Sequence, residues 1–267
     1  MGIIETPQKG HARHLALPVT QLLFFYIRHN SFAGELLKSQ RWTSARHQKP
    51  RSERRLQIIF EDSDIIVVDK PEGLLTIATE NEKSRTLYAR LFEHVKSHQP
   101  PEMLFIVHRL DREASGLLVF AKSVSAKHHL QQQFKEHSAR RTYLAVTERR
   151  MTRNTQTIES YLAQNRIHRC YSTKDRSKGK RAVTHIRVLK RSTNRTLVEL
   201  TLETGRKHQI RVHLAEQGHP IIGDRVYGSA KDRRLALHAV KLALKHPRTG
   251  KLLEFVSPPP PFFDSLA

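Results

Sequence analysis

The sequence predicts an α+β domain built on one long, mostly antiparallel mixed β-sheet with flanking helices. Apolar stretches of strand length recur between Leu56 and Val256, each bounded by turn residues. Few segments show helical spacing, and they do not alternate with the strands as a parallel sheet would require. At 267 residues the chain can bury a substantial core.

Leu56 to Phe60 and Ile65 to Val68 flank the turn residues Glu61-Asp62-Ser63-Asp64 and read as a hairpin, stopped by Lys70-Pro71-Glu72-Gly73. Ser84 is placed to cap a helix running to about Ser97, with Leu87, Leu91 and Val95 on one face. Leu104 to Val107 is a strand, as is the run from Leu117; Ser123 then caps a helix to about His137. Strands follow at Thr142 to Val146, Thr157 to Leu162, Ala182 to Leu189 and Leu197 to Leu202. A helix over about Arg206 to Gln217 closes on Gly218, with Arg211 at the edge of an apolar face made by Ile210 and Leu214. Strands at Leu235 to Leu244 and Leu252 to Val256 complete the set, and Pro258 to Pro261 runs extended over the surface.

Residues 1–55 form a basic extension with no clear domain, ahead of one domain over 56–267. Val19 to Ile27 is too short to span a bilayer, and Gln21 interrupts any secretory signal, so it reads as a short amphipathic helix. Lys38 to Arg55 is a polar, basic linker or nucleic-acid-touching arm.

Lys and Arg number 47 against 25 Asp and Glu, a formal charge of +22. Such an excess calls for a polyanion, and nucleic acid is the partner expected. A single cysteine, Cys170, rules out an intramolecular disulfide and suits a reducing compartment. The histidines show no metal-ligand spacing, so no metal site is expected. A cytoplasmic monomer with no membrane segment fits these features.

The stretch most suggestive of chemistry is His108 to Lys122, HRLDREASGLLVFAK. A charged cluster enters an apolar strand, so a loop at the strand's mouth can aim a carboxylate into a cleft. Asp111 lies between Arg109 and Arg112, and flanking cations favour an ionised carboxylate even when it is partly desolvated. From these residues alone, a solvated ion-pair loop explains the stretch equally well.

HRLD-x-x-x-SGLL-x-FAK resembles the catalytic signature of the RluA-type pseudouridine synthases. Asp69-Lys70-Pro71-Glu72-Gly73-Leu74 upstream and Gly205 to His213 (GRKHQIRVH) downstream support it, in the family's order. The resemblance covers roughly residues 57 to 265. It implies a pseudouridine synthase-like catalytic domain, a long mixed sheet with a cleft across its middle. It implies isomerisation of uridine to pseudouridine in structured RNA, ribosomal before transfer RNA, by base flipping and without a cofactor. Asp111 matches the catalytic Asp, Arg211 the cation that pairs with it, and Tyr143 the ring that stacks on the target base and can take the C5 proton.

RNA contacts are expected from Lys70, Arg109, Arg140, Arg141, Arg206, Lys207 and His208, the last three at a helix N-terminus that favours phosphate; for the cleft-lining segment at Lys70, a backbone role of Pro71 and Gly73 is an equal reading. The run Arg166 to Arg181 reads as a mobile loop gripping RNA backbone through Lys174, Arg176, Lys178 and Lys180. Ala114 stands where relatives usually carry Thr, and Glu113 where Asp is common; both touch loop packing only. Residues 1–55 show no match to the S4-type RNA-binding domain that many relatives carry. The rival reading is a catalytically silent RNA-binding protein on the same fold. A carboxylate-pair hydrolase would need Glu113 as the second acid.

Overall fold

The computed structural model describes residues 56–80, 82–98, 103–228 and 234–266, and the expectations for residues 1–55 lie outside them. Eleven strands form one sheet in the order β1-β2-β4-β10-β5-β9-β8-β6-β7, with β3 on β4 and β11 on β10. β1 (Gln57–Glu61) and β2 (Ile65–Lys70) make the expected hairpin, with an irregularity at Ile58/Phe60. β3 (Phe105–Ile106) is shorter than expected, whereas β4 (Ser115–Ala121) is buried along its whole length. β5 (Arg140–Glu148), β9 (Arg195–Leu202) and β8 (Lys180–Arg191) pair antiparallel in that order, and β6 (Thr155–Gln164) extends the sheet beyond β8. β10 (Leu237–Lys245) and β11 (Leu252–Val256) form a second hairpin.

Two expectations are corrected here. The loop placed at residues 166–181 contains a further strand, β7 (Cys170–Thr173), paired with β6 from Tyr161 to Gln164. Its sequence CYST has too little apolar character to signal a strand; its neighbour's free edge makes it one. The proline segment does not simply lie over the surface either. Ser257 and Pro259 are buried, and α4 (Phe262–Leu266) follows, with Phe263 fully buried.

α1 (Leu87–Lys96) buries Leu87, Leu91 and Val95 as its spacing requires. Its N-cap is Thr86, not Ser84: the Thr86 hydroxyl accepts the Ala89 N–H at 3.1 Å. Contacts from Leu75 and Thr76 to the Leu87 and Tyr88 amides decide between two equally competent capping residues. α2 (Val124–Lys135) starts where expected, with Ser123 Oγ accepting from the Ala126 N–H at 3.1 Å. Ala126 and Leu130 on α2 pack against Leu117 and Val119 of β4 and Leu242 and Leu244 of β10. Burying each such Leu or Val contributes about 1.5–3 kcal/mol.

What places the site is the join between β4 and β10, the sheet's one parallel pairing among the described residues. It lasts for two residue pairs, Ser115 with His238 and Gly116 with Ala239. Gly116 is required there: its φ is +111°, and a Cβ would lie 2.3 Å from the Ala239 carbonyl oxygen. The loop carrying Asp111 runs directly into β4 at this join. No helix among the described residues is long and apolar enough to cross a membrane.

Candidate active site

The loop from Val107 to Ala114 is held from behind. Thr76 Oγ1 donates to the Leu110 carbonyl at 2.8 Å, and the Gly73 N–H donates to the Arg112 carbonyl at 2.8 Å. Lys70 completes this grip, and its expected RNA contact is overturned. The side chain is fully buried, and Nζ donates to the carbonyls of Pro71, Leu74 and Arg112 at 2.9, 2.8 and 3.1 Å. Three N–H groups meet three acceptors, so none is left for a phosphate. Burial pulls its pKa down to about 7, against the raising pull of Asp111 and Glu113. The KPEGL segment therefore serves the site as a scaffold under the Asp111 loop.

Asp111, Tyr143 and Arg211 come together around one cavity of about 320 Å³, which Arg109, Arg141, Arg206 and His208 also line. Tyr143 rises from β5, opposite Ala239 on one side and Leu200 on the other, and is 5% exposed. Burial raises its pKa, so the ring meets the cavity as a neutral phenol. Arg141 rests its guanidinium over Phe134 at 5.1 Å. His108 tilts against the same ring at 4.6 Å and is held neutral, its pKa lowered by burial to about 3.

Arg211 sits on α3 (Gln209–Glu216), which is buried all round from Gln209 to Leu214 rather than amphipathic. This helix begins three residues later than expected. His208 precedes it in the left-handed region (φ 54°), leaving Arg206 and Lys207 exposed ahead of the first turn. Gln209 dictates the late start: its Oε1 accepts from Thr204 Oγ1 at 2.8 Å and the Arg206 N–H at 3.0 Å, while Nε2 donates to the Val183 carbonyl at 2.9 Å. The helix N-terminus expected at Arg206, Lys207 and His208 is therefore displaced to Gln209. Arg206 and Lys207 stay exposed ahead of it, each giving one N–H to a carbonyl, of Arg181 and His168 respectively.

The expected Arg211–Asp111 pairing is present but is not the strong one. Arg211 Nε and Nη2 donate to Asp224 Oδ2 and Oδ1, both at 2.8 Å, in a bidentate pair whose members are 2% and 1% exposed. Its remaining Nη1 reaches Asp111 Oδ2 at 3.4 Å and Glu113 Oε2 at 3.5 Å. Charge-assisted N–H···O bonds favour about 2.7–2.9 Å. Asp224 thus anchors the guanidinium, and Asp111 feels its charge without being tied down.

Burial works against the Arg211 charge, but Asp224 and then Asp111 more than offset it, holding the pKa above the ordinary value. Burial likewise tends to raise Asp224, and Arg211 outweighs it to leave the carboxyl below its usual range. Asp224 Oδ1 also accepts the Val226 and Tyr227 N–H groups at 2.9 and 3.0 Å. The Tyr227 ring lies under Arg211 at 5.4 Å.

Asp224 and Tyr227 were missed in the sequence. The available signal is Gly223-Asp224 in GHPIIGDRVYG. Gly223 has φ +77°, and a Cβ would lie 1.9 Å from the Arg234 carbonyl oxygen, so this turn is specified. Glu113, the second acid a hydrolase would need, keeps 51% of its side chain exposed.

The remaining basic residues lie apart from the cavity lining. Arg140 is exposed at the start of β5. Lys174, Arg176, Lys178 and Lys180 are exposed about the β7–β8 turn, with Arg176 over Tyr161 at 5.4 Å and Lys178 paired with Asp175 at 3.1 Å. Two clusters with metal-ligand chemistry that the sequence spacing hides do form: Glu61, His94 and His98, and Asp62, Asp64 and His246. Each already contains a competing cation, Lys122 on Glu61 at 2.9 Å and Arg248 on Asp64 at 2.8 Å, and each reads as an ion-pair network.

Comparison with known proteins gives concordant results. A family model described as RNA pseudouridylate synthase matches residues 64–216. The ribosomal large subunit pseudouridine synthase D of Nitrosomonas europaea is 39% identical over 216 residues, covering 77% of this chain and 62% of that relative. The chain therefore spans less than two thirds of that relative's length. The protein of the same name from Haemophilus influenzae is 36% identical over 227 residues, covering 79% of this chain and 69% of the relative. The solved structure of human RNA pseudouridylate synthase domain containing 1 superposes with a TM-score of 0.66 at 27% identity, covering 82% of this chain and 89% of that one.

Proposed function

The chain belongs to the RNA pseudouridylate synthase family, and on that premise we propose that it isomerises uridine to pseudouridine in structured RNA. Large-subunit ribosomal RNA is the favoured substrate, as the names of the relatives suggest, with transfer RNA second. The observation that carries this reading is Asp111, with 16% of its side chain exposed at the cavity, beside a buried guanidinium that balances its charge but bonds it only at 3.4 Å. A carboxylate so placed faces the space that a nucleotide turned out of its stack would enter.

The net reaction breaks the C1′–N1 bond and forms C1′–C5, while one proton leaves C5 and one arrives at N1. Nothing is oxidised or hydrolysed, so no cofactor is called for. Asp111 assists cleavage of the glycosidic bond, and Tyr143 stacks on the base. The Tyr143 hydroxyl is neutral before reaction, so any proton it takes from C5 must be matched by one it gives up. Arg109, Arg141 and Arg206 at the cavity rim meet the phosphates of the flipped nucleotide. The enzyme acts as a cytoplasmic monomer.

The test is incubation of the purified full chain with large-subunit ribosomal RNA and, separately, transfer RNA carrying tritium at uridine C5. Tritium release, with a pseudouridine mapped to a defined position, is the expected result. RNA binding without release from either substrate would favour the silent RNA-binding alternative.

A further inference from the structure

His208 lines the cavity together with Asp111 and Arg211. Its backbone occupies the left-handed region, which non-glycine residues adopt rarely but His more often than most. That geometry sets its imidazole between two partners. Nδ1 lies 2.9 Å from Tyr227 Oη, and Nε2 lies 3.9 Å from Asp111 Oδ1. The rings of His208 and Tyr227 meet edge to face at 5.6 Å.

The hydrogen bonds around Tyr227 fix which nitrogen carries the imidazole proton. Tyr227 Oη accepts the Cys170 N–H at 3.0 Å, and a backbone amide can only donate. The phenol keeps its own proton, because burial pushes its pKa up to about 12. That proton goes to His208 Nδ1, since the neighbouring Cys170 thiol is a weak acceptor by comparison. Nδ1 is thus the lone-pair nitrogen, and in the neutral ring the proton sits on Nε2. Neutrality is favoured by burial first; Arg211 and Lys207 add to it, and Asp111 and Glu113 oppose it.

We propose that His208 is a positioning residue for Asp111: Tyr227 locks it as the Nε2–H tautomer, and Nε2–H then holds Asp111 Oδ1 while Arg211 holds Oδ2. Each oxygen of the carboxylate thus faces one donor, a neutral imidazole N–H at 3.9 Å and a guanidinium at 3.4 Å. A neutral donor orients Asp111 without adding a second full positive charge that would blunt its basicity. The 3.9 Å spacing is longer than a hydrogen bond, so on this proposal the bond itself belongs to the RNA-bound enzyme. This role replaces the phosphate contact expected of His208, and it rests on the synthase reading above.

The test measures single-turnover pseudouridine formation and RNA affinity for the unchanged enzyme, His208→Ala, His208→Gln and Tyr227→Phe. Gln can place an amide N–H where Nε2–H stands but cannot reproduce the ring. His208→Ala should lose about a hundredfold in the rate at saturating RNA, the scale of a misplaced reacting group, with affinity within about twofold. His208→Gln should recover to within about tenfold of the unchanged enzyme. Tyr227→Phe, which frees the tautomer, should fall between the two in rate. Equal losses in Ala and Gln, an undiminished rate in Ala, or a loss confined to RNA affinity would overturn the proposal. An unchanged enzyme inactive on every RNA would instead sink the synthase reading before His208 is tested.

Discussion

Arg211 and Arg176 carry the same guanidinium in opposite surroundings. Arg211 is 2% exposed, bound by Asp224 at 2.8 Å through two parallel bonds and stacked on Tyr227. Arg176 is exposed near the β7–β8 turn, resting on Tyr161 at 5.4 Å, with Lys174, Lys178 and Lys180 around it. Removing one partner of a buried ion pair costs about 3–5 kcal/mol, because the other charge is stranded. An exposed pair such as Lys178–Asp175 is worth about 0–1 kcal/mol. The buried arginine therefore supplies a fixed direction and potential at one carboxylate. The exposed group offers only a diffuse positive field. If the proposed function holds, chemistry and RNA capture are separate in this chain and should fail separately.

The largest effect is expected from Asp224→Asn. In either orientation the amide would turn its N–H₂ group toward an Arg211 donor now bonded at 2.8 Å, and with the nitrogen at the Oδ1 position it would also surrender the Val226 and Tyr227 amides. Stability should fall by about 3–5 kcal/mol in urea unfolding. In whatever fraction stays folded, isomerisation should fall far more than RNA affinity. Wild-type stability and rate together would show that Asp224 does not anchor Arg211.

A smaller effect is expected at the other pole of the comparison. Replacing Lys174, Arg176, Lys178 and Lys180 together with Gln should leave the saturating rate nearly unchanged. The dependence of log affinity on log salt should flatten by up to about three, at roughly 0.7 per single-strand phosphate contact. An unaltered slope would mean that this basic turn is merely solvated. A slower chemical step would mean that capture and chemistry are not separate.

Legibility in the sequence follows the range of the forces involved. The β4 run and the Ser123 cap of α2 were readable because their causes are local: an unbroken apolar stretch, and a hydroxyl three residues from the amide it caps. Asp111, Tyr143 and Arg211 were found by resemblance, and the fold brings them to one cavity. What escaped was decided at a distance. Lys70 beside Pro71 and Gly73 looks like a surface cation, yet its burial depends on the Arg112 carbonyl 42 residues away. The start of α3 depends on Gln209 reaching Val183, and β7 exists because β6 offers it an edge. Asp224 carries no charged cluster to announce it, and its partner lies 13 residues back on a buried helix.

The central claim is that Asp111 performs the chemistry while the rest of the basic surface only delivers RNA to it. Asp111→Asn tests this most directly, because it keeps the side chain's shape and removes its charge and basicity. The measurement is tritium release from C5-labelled uridine at saturating RNA, alongside RNA affinity and thermal unfolding of the same preparation. The expected result is a native fold, affinity unchanged or slightly improved, and release reduced by more than about a hundredfold. Release within about tenfold of the unchanged enzyme, from a folded protein that binds RNA normally, would contradict it.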